Sequence, residues 1–225
     1  MIYENGIDKG YRPDNWWSNP ENPDSFRIAK PNEDYPDEYF KTDHVSPEVV
    51  SDYCEYVSEY YTRFTGKHLE SVIEFGAAGG WFAEYFRKTM KVHIQPVEGS
   101  RAGILRCIER GLSNVNHWDL RRPMWRLNIK YDIALCSETA EHCEEYFAAV
   151  LVQNITQSSD LVWWSAAEPG APSHLHHPNA RPHRYWESLF EFFGYGCYML
   201  PDQVFDDCQG RGRCIFFNRK TYHNL

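Results

Sequence analysis

The sequence contains no run of basic residues, no Cys-x-x-Cys pair and no apolar stretch of about 18 residues, the length of a membrane span. A net charge of −9 without a basic patch argues against nucleic acid as a partner. The 7 cysteines are odd in number and scattered, which favours a reducing, cytoplasmic compartment over a disulfide framework or a zinc knuckle. The first residues lack the basic and apolar regions of a signal peptide, so we expect no membrane association.

Two nucleotide-binding motifs are also missing. No Gly-Lys-Ser/Thr follows the glycine-rich segment, which excludes a P-loop, and the middle position of a Gly-x-Gly-x-x-Gly fingerprint fits poorly. There is no internal repeat and no low-complexity tract. A chain of 225 residues is long enough for one domain with a large core.

Aromatic residues are abundant, at 16% of the chain, and several fall in a segment rich in Pro, Asn and Asp, residues 1–45. Disordered leaders are poor in aromatics, so we predict an N-terminal arm or lid held against the main domain, residues 46–225. A disordered leader is the alternative. The predicted anchors of the arm are Trp16, Trp17, Tyr35, Tyr39 and Phe40.

Hydrophobic periodicity after residue 45 predicts helices and strands in alternation. Ser46 caps a helix with Pro47 in its first turn, and Gly66 ends it. Further helices are predicted at 80–90, 100–110, 141–157 and 185–193, and strands at 71–76, 92–98, 115–118, 131–136, 160–167, 195–200 and 213–218. The first five strands require a parallel sheet with right-handed crossovers, and the last two form an antiparallel pair. The predicted fold is therefore α/β, a mostly parallel seven-stranded sheet with helices on both faces.

Acidic side chains and a glycine turn follow the predicted strands. The segment Glu74-Phe-Gly-Ala-Ala-Gly-Gly80 ends the first strand and opens a helix, an arrangement that brings bare backbone to a ligand. Glu98 follows about 20 residues later, where an acid accepts hydrogen bonds from a ribose diol and repels a 2′-phosphate. Asp119 can accept from the amine of adenine. Taken singly, each acid is more often a solvated residue at a strand end.

Together these residues resemble the class I S-adenosylmethionine-dependent methyltransferases over roughly residues 46–220. The resemblance implies a Rossmann-like methyltransferase domain with S-adenosylmethionine (SAM) as cofactor, and the lack of phosphate-binding features favours SAM over NAD. Ala78 departs from the family at its middle glycine position. The implied cofactor-binding residues are Glu74, Gly76, Ala78, Gly79, Gly80, Glu98, Asp119 and Ser137.

A Glu-x-x-Glu-His motif, Glu138, Glu141 and His142, follows the fourth strand. At the start of a helix, residues at i, i+3 and i+4 project from one face, and two carboxylates with an imidazole suit Mg²⁺ or Mn²⁺. The motif resembles the metal-binding signatures of small-RNA 2′-O-methyltransferases and ubiquinone-pathway O-methyltransferases. In the alternative, the motif is one of the many related Glu-His pairs that shape a methyltransferase site without metal.

The loop after the fifth strand resembles a group of glycan-cluster and viral methyltransferases. That group has Ser-Ala-Ala-x-Pro-Gly and then His-x-Asn-x-Gln-Pro-x-x-Tyr-Trp. Aligned on this pattern, His177 and Asn179 match and Arg181 replaces the glutamine. His177 is then the fourth metal ligand or the general base, with His174 and His176 as the next choices and a solvated histidine cluster as the alternative.

The predicted function is O-methylation of a hydroxyl on a sugar, glycan or small polyol, assisted by Mg²⁺ or Mn²⁺. The predicted catalytic residues are His142, His177 and Glu138, and the predicted metal ligands are Glu138, Glu141, His142 and His177. One alternative is a metal-independent N- or O-methyltransferase for a small molecule, with His142 or His177 as base. RNA 2′-O-methylation and a catalytically silent module that binds a partner are the others. The expected location is the cytoplasm, or the host cytoplasm for a viral protein; the oligomeric state and the acceptor stay open.

Overall fold

A computed structural model of the chain describes residues 40, 45–124, 129–170, 177–201 and 214–223. The predictions for Trp16, Trp17, Tyr35, Tyr39, His174 and His176 lie outside the described residues. Phe40 is described and is 4% exposed.

Within the described residues, five α-helices and seven strands follow in the predicted order, and most bounds differ from the prediction by a few residues. The helices are α1 (Pro47–Thr65), α2 (Trp81–Lys88), α3 (Arg101–Glu109), α4 (Ala148–Ser158) and α5 (His183–Phe192). The strands are β1 (Ser71–Phe75), β2 (His93–Glu98), β3 (Asn116–His117), β4 (Ile133–Ser137), β5 (Leu161–Ser165), β6 (Tyr195–Met199) and β7 (Cys214–Asn218).

Local capping explains the bounds of α1. The Ser46 hydroxyl accepts a hydrogen bond from the Val49 amide at 3.3 Å, and Pro47 occupies the first turn, where no amide donor is needed. Gly66 ends the helix with φ +71°, and its amide donates to the Thr62 carbonyl at 2.8 Å.

The strands form one sheet in the order β3-β2-β1-β4-β5-β7-β6. The five strands from β1 to β5 are parallel, whereas β7 runs antiparallel to both β5 and β6. This confirms the predicted α/β fold, including the antiparallel pair at the C-terminal end. The carboxyl ends of β1, β2 and β4 therefore lie at one edge of the sheet, where open α/β sheets bind ligands.

Both faces of the sheet are covered, and successive residues of β5 show this. Trp163 packs edge-on against Tyr53 and Tyr60 of α1, while Trp164 packs against Trp186 and Phe190 of α5. All of these side chains are nearly inaccessible to solvent. Burial on both faces explains why the strands read as continuous apolar runs.

The helix predicted at 141–157 begins later than expected, and this prediction was wrong. Two short 3₁₀ turns, Ala140–His142 and Glu145–Phe147, precede α4. Glu138 adopts a left-handed conformation with φ +48°, and the Glu141 carbonyl accepts from the Asn179 amide at 3.0 Å instead of closing a helical turn. The three residues of the Glu-x-x-Glu-His motif consequently do not share one face of an α-helix.

Among the helices that the structure describes, none is both long and apolar enough to cross a bilayer.

Candidate active site

The glycine turn after β1 is fastened to the end of β2. The amides of Gly76 and Ala77 both donate to the Val97 carbonyl, at 2.9 and 3.1 Å, and the Gly80 amide donates to the Ala77 carbonyl at 2.7 Å. Helix α2 then starts at Trp81. The turn thus presents backbone and a helix start at the ligand-binding edge of the sheet.

Two glycines of this turn have no room for a side chain. Gly76 has φ +76°, and a β-carbon there would lie no more than 3.0 Å from three side-chain atoms of Thr139. Gly80 also has φ +76°, and a β-carbon there would lie 2.8 Å from Cys107 and Leu112. Both conformation and close packing therefore require glycine at these positions.

Ala78, at the family's middle glycine position, follows the left-handed path that a glycine would take. Its φ is +47°, and its amide donates to Glu98 Oε2 at 2.7 Å. For an alanine this conformation costs on the order of 1 kcal/mol. The hydrogen bond to Glu98 helps hold it there.

Glu98 is held at the end of β2 by backbone donors. Its other carboxylate oxygen, Oε1, accepts from the Ser100 amide at 2.7 Å, and the residue is 7% exposed. Burial raises its pKa to about 7, although the backbone hydrogen bonds oppose the shift. A β-carbon on Gly103 would lie 3.0 Å from both Glu98 Cγ and Phe40 Cε1, so both side chains pack against Gly103.

Glu74, near the carboxyl end of β1, is a second buried carboxylate close enough to Glu98 for their charges to interact. It is 5% exposed, and its Oε2 has no hydrogen-bond partner among the described residues. Burial, and then the charge of Glu98, raises the pKa of Glu74 to about 8. A buried acceptor without a donor is costly, which is a reason to expect a cationic or hydrogen-bond-donating ligand beside it.

We expect Glu74→Gln to stabilise the ligand-free protein at pH 8.5 by up to about 5 kcal/mol. Since the folded-state pKa, about 8, lies above the usual 4.5, the folded state holds the proton more tightly. Stability is then lost as the pH rises from about 4.5 to about 8, and the variant removes this loss. Urea unfolding at about pH 5 and about pH 8.5 measures the difference.

The matched control is Glu84→Gln on α2. Glu84 pairs with Lys88 at 2.7 Å and with Arg110 at 2.6 Å, so its neutralisation is expected to destabilise the protein by up to about 1 kcal/mol. Equal effects of the two variants at the higher pH would contradict our interpretation of Glu74.

Asp119 has a protein partner that sequence reasoning did not anticipate. Arg121 donates to both of its oxygens, Nε to Oδ1 at 3.0 Å and Nη2 to Oδ2 at 3.1 Å. The same guanidinium reaches Glu144 at 3.2 Å. The Arg121 amide also donates to Oδ1 at 3.0 Å, so of the two oxygens only Oδ2 has a single donor, and contact of Asp119 with an adenine amine stays a prediction.

The loops after β4 and β5 bring three ligand-type side chains together. Glu141, His142 and His177 place their ligand atoms within 4.8 Å of one another. The two imidazole rings are 4.7 Å apart, centre to centre. Glu141 is 1% exposed, its Oε2 has no hydrogen-bond partner in the described structure, and burial followed by the charge of Glu138 raises its pKa to about 8.

Glu138, predicted as a fourth member of this set, lies outside it. Its side chain is exposed, and it interacts with the Glu141 carboxyl group. Its amide donates to the Ser165 carbonyl at 3.0 Å, which joins the ends of β4 and β5. A left-handed conformation directs Glu138 away from the path of a regular turn.

Two further residues of this edge were not singled out from the sequence. The Tyr53 hydroxyl of α1 hydrogen-bonds to the hydroxyl of Ser137, and the Tyr53 ring stacks on Phe82 at 4.3 Å. Thr139 Oγ1 donates to the carbonyls of Phe75 and Ser137, at 3.3 and 3.0 Å. In the sequence, Tyr53 is one of several regularly spaced buried residues of α1, so no local signal distinguishes it.

Asn179 and Arg181 lie beside the metal-type cluster. Asn179 is fully buried, and its Nδ2 has no acceptor among the described residues. Arg181 donates to Asn179 Oδ1 at 3.3 Å, pairs with Glu145 and lies 5.7 Å from the centre of the Tyr185 ring. Arg181, which stands where the resembled motif has glutamine, thus places a guanidinium between Asn179 and Glu145.

Comparison with solved structures identifies the fold. CalS10, an amino pentose methyltransferase from Micromonospora echinaspora with bound SAM, has a TM-score of 0.60 and 12% identity, over 75% of this chain and 91% of that one. KedS8, a sugar N-methyltransferase from a Streptoalloteichus species, has a TM-score of 0.61 and 10% identity, over 75% of this chain and 87% of that one. The plantazolicin methyltransferase BpumL, in complex with a triazolic desmethylPZN analogue and S-adenosylhomocysteine (SAH), has a TM-score of 0.62 and 11% identity, over 75% of this chain and 84% of that one.

The chain has a Rossmann-like methyltransferase fold. Comparison of the sequence itself with protein-family models and with curated proteins finds no match. At identities of 10–12%, these comparisons show a shared fold and do not identify the residues of the site.

Proposed function

We propose that this protein is a SAM-dependent O-methyltransferase that modifies a hydroxyl of a sugar or small polyol with the help of a divalent metal. The observation that supports it best is the convergence of Glu141, His142 and His177 next to the glycine turn. Thr139 connects the two, because it contacts Gly76 and lies two residues before Glu141. Methyl donor and acceptor would then meet at one edge of the sheet.

The cofactor side of the edge fits SAM. SAM carries a sulfonium and an ammonium group, and Glu74 offers a buried carboxylate oxygen that has no other partner in the described structure. Glu98 would accept from the ribose diol, and the bare backbone at Gly76 and Gly80 allows close approach. CalS10 was solved with SAM, and BpumL with SAH, on the same fold.

The acceptor side fits a divalent cation. One carboxylate and two imidazoles favour Mn²⁺ over Mg²⁺, which prefers oxygen ligands. When bound, the ion would supply Lewis acidity that lowers the pKa of an acceptor hydroxyl. Glu141 Oε2, buried and without a hydrogen-bond partner in the described part of the chain, is the atom that such an ion would satisfy.

The protein side chains then position the acceptor and receive its proton. Glu138 is exposed beside Glu141, so its carboxylate oxygen can accept the proton that the hydroxyl loses. The paired hydroxyls of Tyr53 and Ser137 lie at the end of β4 and could position the acceptor. Methyl transfer itself needs in-line alignment more than covalent assistance, and the packed strand ends would provide it.

A methyl-transfer assay with paired acceptors tests the proposal. Labelled SAM is offered to neutral polyols and to amino sugars, each with EDTA, with added Mn²⁺ and with no addition. We expect transfer to a neutral hydroxyl acceptor that EDTA abolishes and Mn²⁺ restores. Calorimetry with SAH checks that the cofactor binds equally with and without EDTA.

The fold neighbours support a second candidate, N-methylation of an amino sugar without metal. CalS10 is described as an amino pentose methyltransferase and KedS8 as a sugar N-methyltransferase. Transfer to amines only, unchanged by EDTA, would favour this function and overturn the first. Absence of SAH binding would favour a silent partner-binding module. RNA 2′-O-methylation is disfavoured by the net charge of −9.

A further inference from the structure

A second group of metal-ligand side chains lies where α5 packs on the antiparallel strands. His183 begins α5, Cys197 lies in β6 and Cys214 begins β7. Their ligand atoms are all within 4.8 Å of one another, and His183 Nε2 is 3.5 Å from Cys197 Sγ. This group shares no residue with the Glu141, His142 and His177 cluster.

We propose that His183, Cys197 and Cys214 form a zinc site. Tetrahedral zinc holds thiolate sulfur at about 2.3 Å and imidazole nitrogen at about 2.0 Å, which places the two ligand atoms about 3.5 Å apart. The observed separation of His183 and Cys197 matches this spacing. Two soft thiolates and an imidazole select zinc over Mg²⁺ or Mn²⁺.

The strand register favours a metal over a disulfide. Cys197 lies opposite Phe216, and Cys214 lies opposite Met199, so both thiols are on one face but offset by two residues. Diagonal neighbours in a sheet have Cα atoms about 7–8 Å apart. A disulfide requires about 4.4–6.8 Å. An ion can bridge the longer separation that a direct S–S bond cannot.

The surroundings hold the three ligands in place and leave one side open. The His183 ring stacks on Phe216 with centres 6.0 Å apart and planes at 11°. Cys214 is fully buried, whereas Cys197 is partly exposed. Among the described residues no fourth ligand side chain joins this group, which leaves a fourth coordination position for water.

Zinc at this site would fasten the first turn of α5 to the strand pair. His177 lies six residues before His183 in the same connection, so the ion would also steady the end of the loop that carries it. The zinc site rests on its own three side chains. The zinc site and the proposed methyl transfer are therefore tested independently of each other.

Titration of the metal-free, reduced full chain with Co²⁺ tests the site. Tetrahedral Co²⁺ bound to thiolate gives a sulfur-to-metal charge-transfer absorption that carboxylate and imidazole ligands do not produce. We expect one Co²⁺ per chain with this absorption, and its loss on addition of one equivalent of Zn²⁺. Cys197→Ser and His183→Ala are each expected to weaken binding by at least about 100-fold.

The matched control is Cys54→Ser, which removes a buried thiol of α1 and should leave the absorption unchanged. Circular dichroism checks that each variant is folded, and Cys197, being partly exposed, tolerates serine best. Absence of the absorption in the reduced chain would overturn the proposal. Its survival in folded Cys197→Ser, or a Cys197–Cys214 disulfide in freshly purified protein, would do so as well.

Discussion

Gly76→Ala is expected to lower the free energy of unfolding by about 3 kcal/mol and to weaken SAM binding at least about 100-fold. The left-handed backbone accounts for about 1 kcal/mol of this. The rest comes from the β-carbon, which would lie no more than 3.0 Å from Cγ2, Oγ1 and Cβ of Thr139. Thr139 cannot easily yield, because its hydroxyl donates to the Phe75 and Ser137 carbonyls.

Gly66→Ala separates the two contributions. Gly66 has φ +71°, close to the +76° of Gly76, but among the described residues no packing neighbour lies within 4 Å of the position that a β-carbon would take there. Alanine at Gly66 is expected to cost only about 1 kcal/mol and to leave SAM binding unchanged. Chemical unfolding and calorimetry with SAM measure both quantities for each variant.

Removal of the Thr139 side chain provides the stricter test. Gly76→Ala combined with Thr139→Ala is expected to recover about 1–2 kcal/mol of the loss, as contacting residues do in double-mutant cycles. Additive effects of the two substitutions, or equal effects of Gly66→Ala and Gly76→Ala, would show that the contact with Thr139 is not what excludes a side chain.

Glu141→Gln is expected to reduce methyl transfer by at least about 100-fold, which exceeds the usual cost of losing an outer-shell partner of a metal. Glutamine has the shape of the carboxylate and suits a site where burial already raises the pKa of Glu141 to about 8. The fold and the affinity for SAM should therefore persist. Initial rates with Mn²⁺, together with SAH calorimetry, distinguish a lost metal ligand from a damaged fold.

A histidine pair supplies the control for this prediction. His177→Ala should reduce the rate comparably to Glu141→Gln, whereas His93→Ala should leave it unchanged. His93 is exposed at the start of β2, at the opposite edge of the sheet, where it stacks on Tyr131 at 6.2 Å. Full activity in Glu141→Gln would refute the metal-assisted mechanism, and a loss of SAM binding would point to a structural role.

The secondary structure was largely predictable, because its signals are local. Helix α1 has its cap at Ser46, its proline at the first turn and its terminating glycine within one segment. The parallel strands follow from apolar runs alternating with helices, and the final pair from the absence of a helix between its strands. The prediction failed at residues 141–147, where the Glu141 carbonyl bonds to Asn179, 38 positions away in the sequence, in place of a helical neighbour.

The sequence by itself determined which residues meet at the carboxyl ends of the parallel strands, since Glu74, Glu98 and the glycine turn all occupy strand ends that a parallel sheet must bring together. Only the tertiary structure decided which side chains contact one another. It pairs Asp119 with Arg121, leaves Glu138 outside the Glu141, His142 and His177 cluster, and assembles His183, Cys197 and Cys214 from three separate elements. These contacts depend on how loops and strand registers place residues that are distant in sequence, and no local pattern encodes that distance.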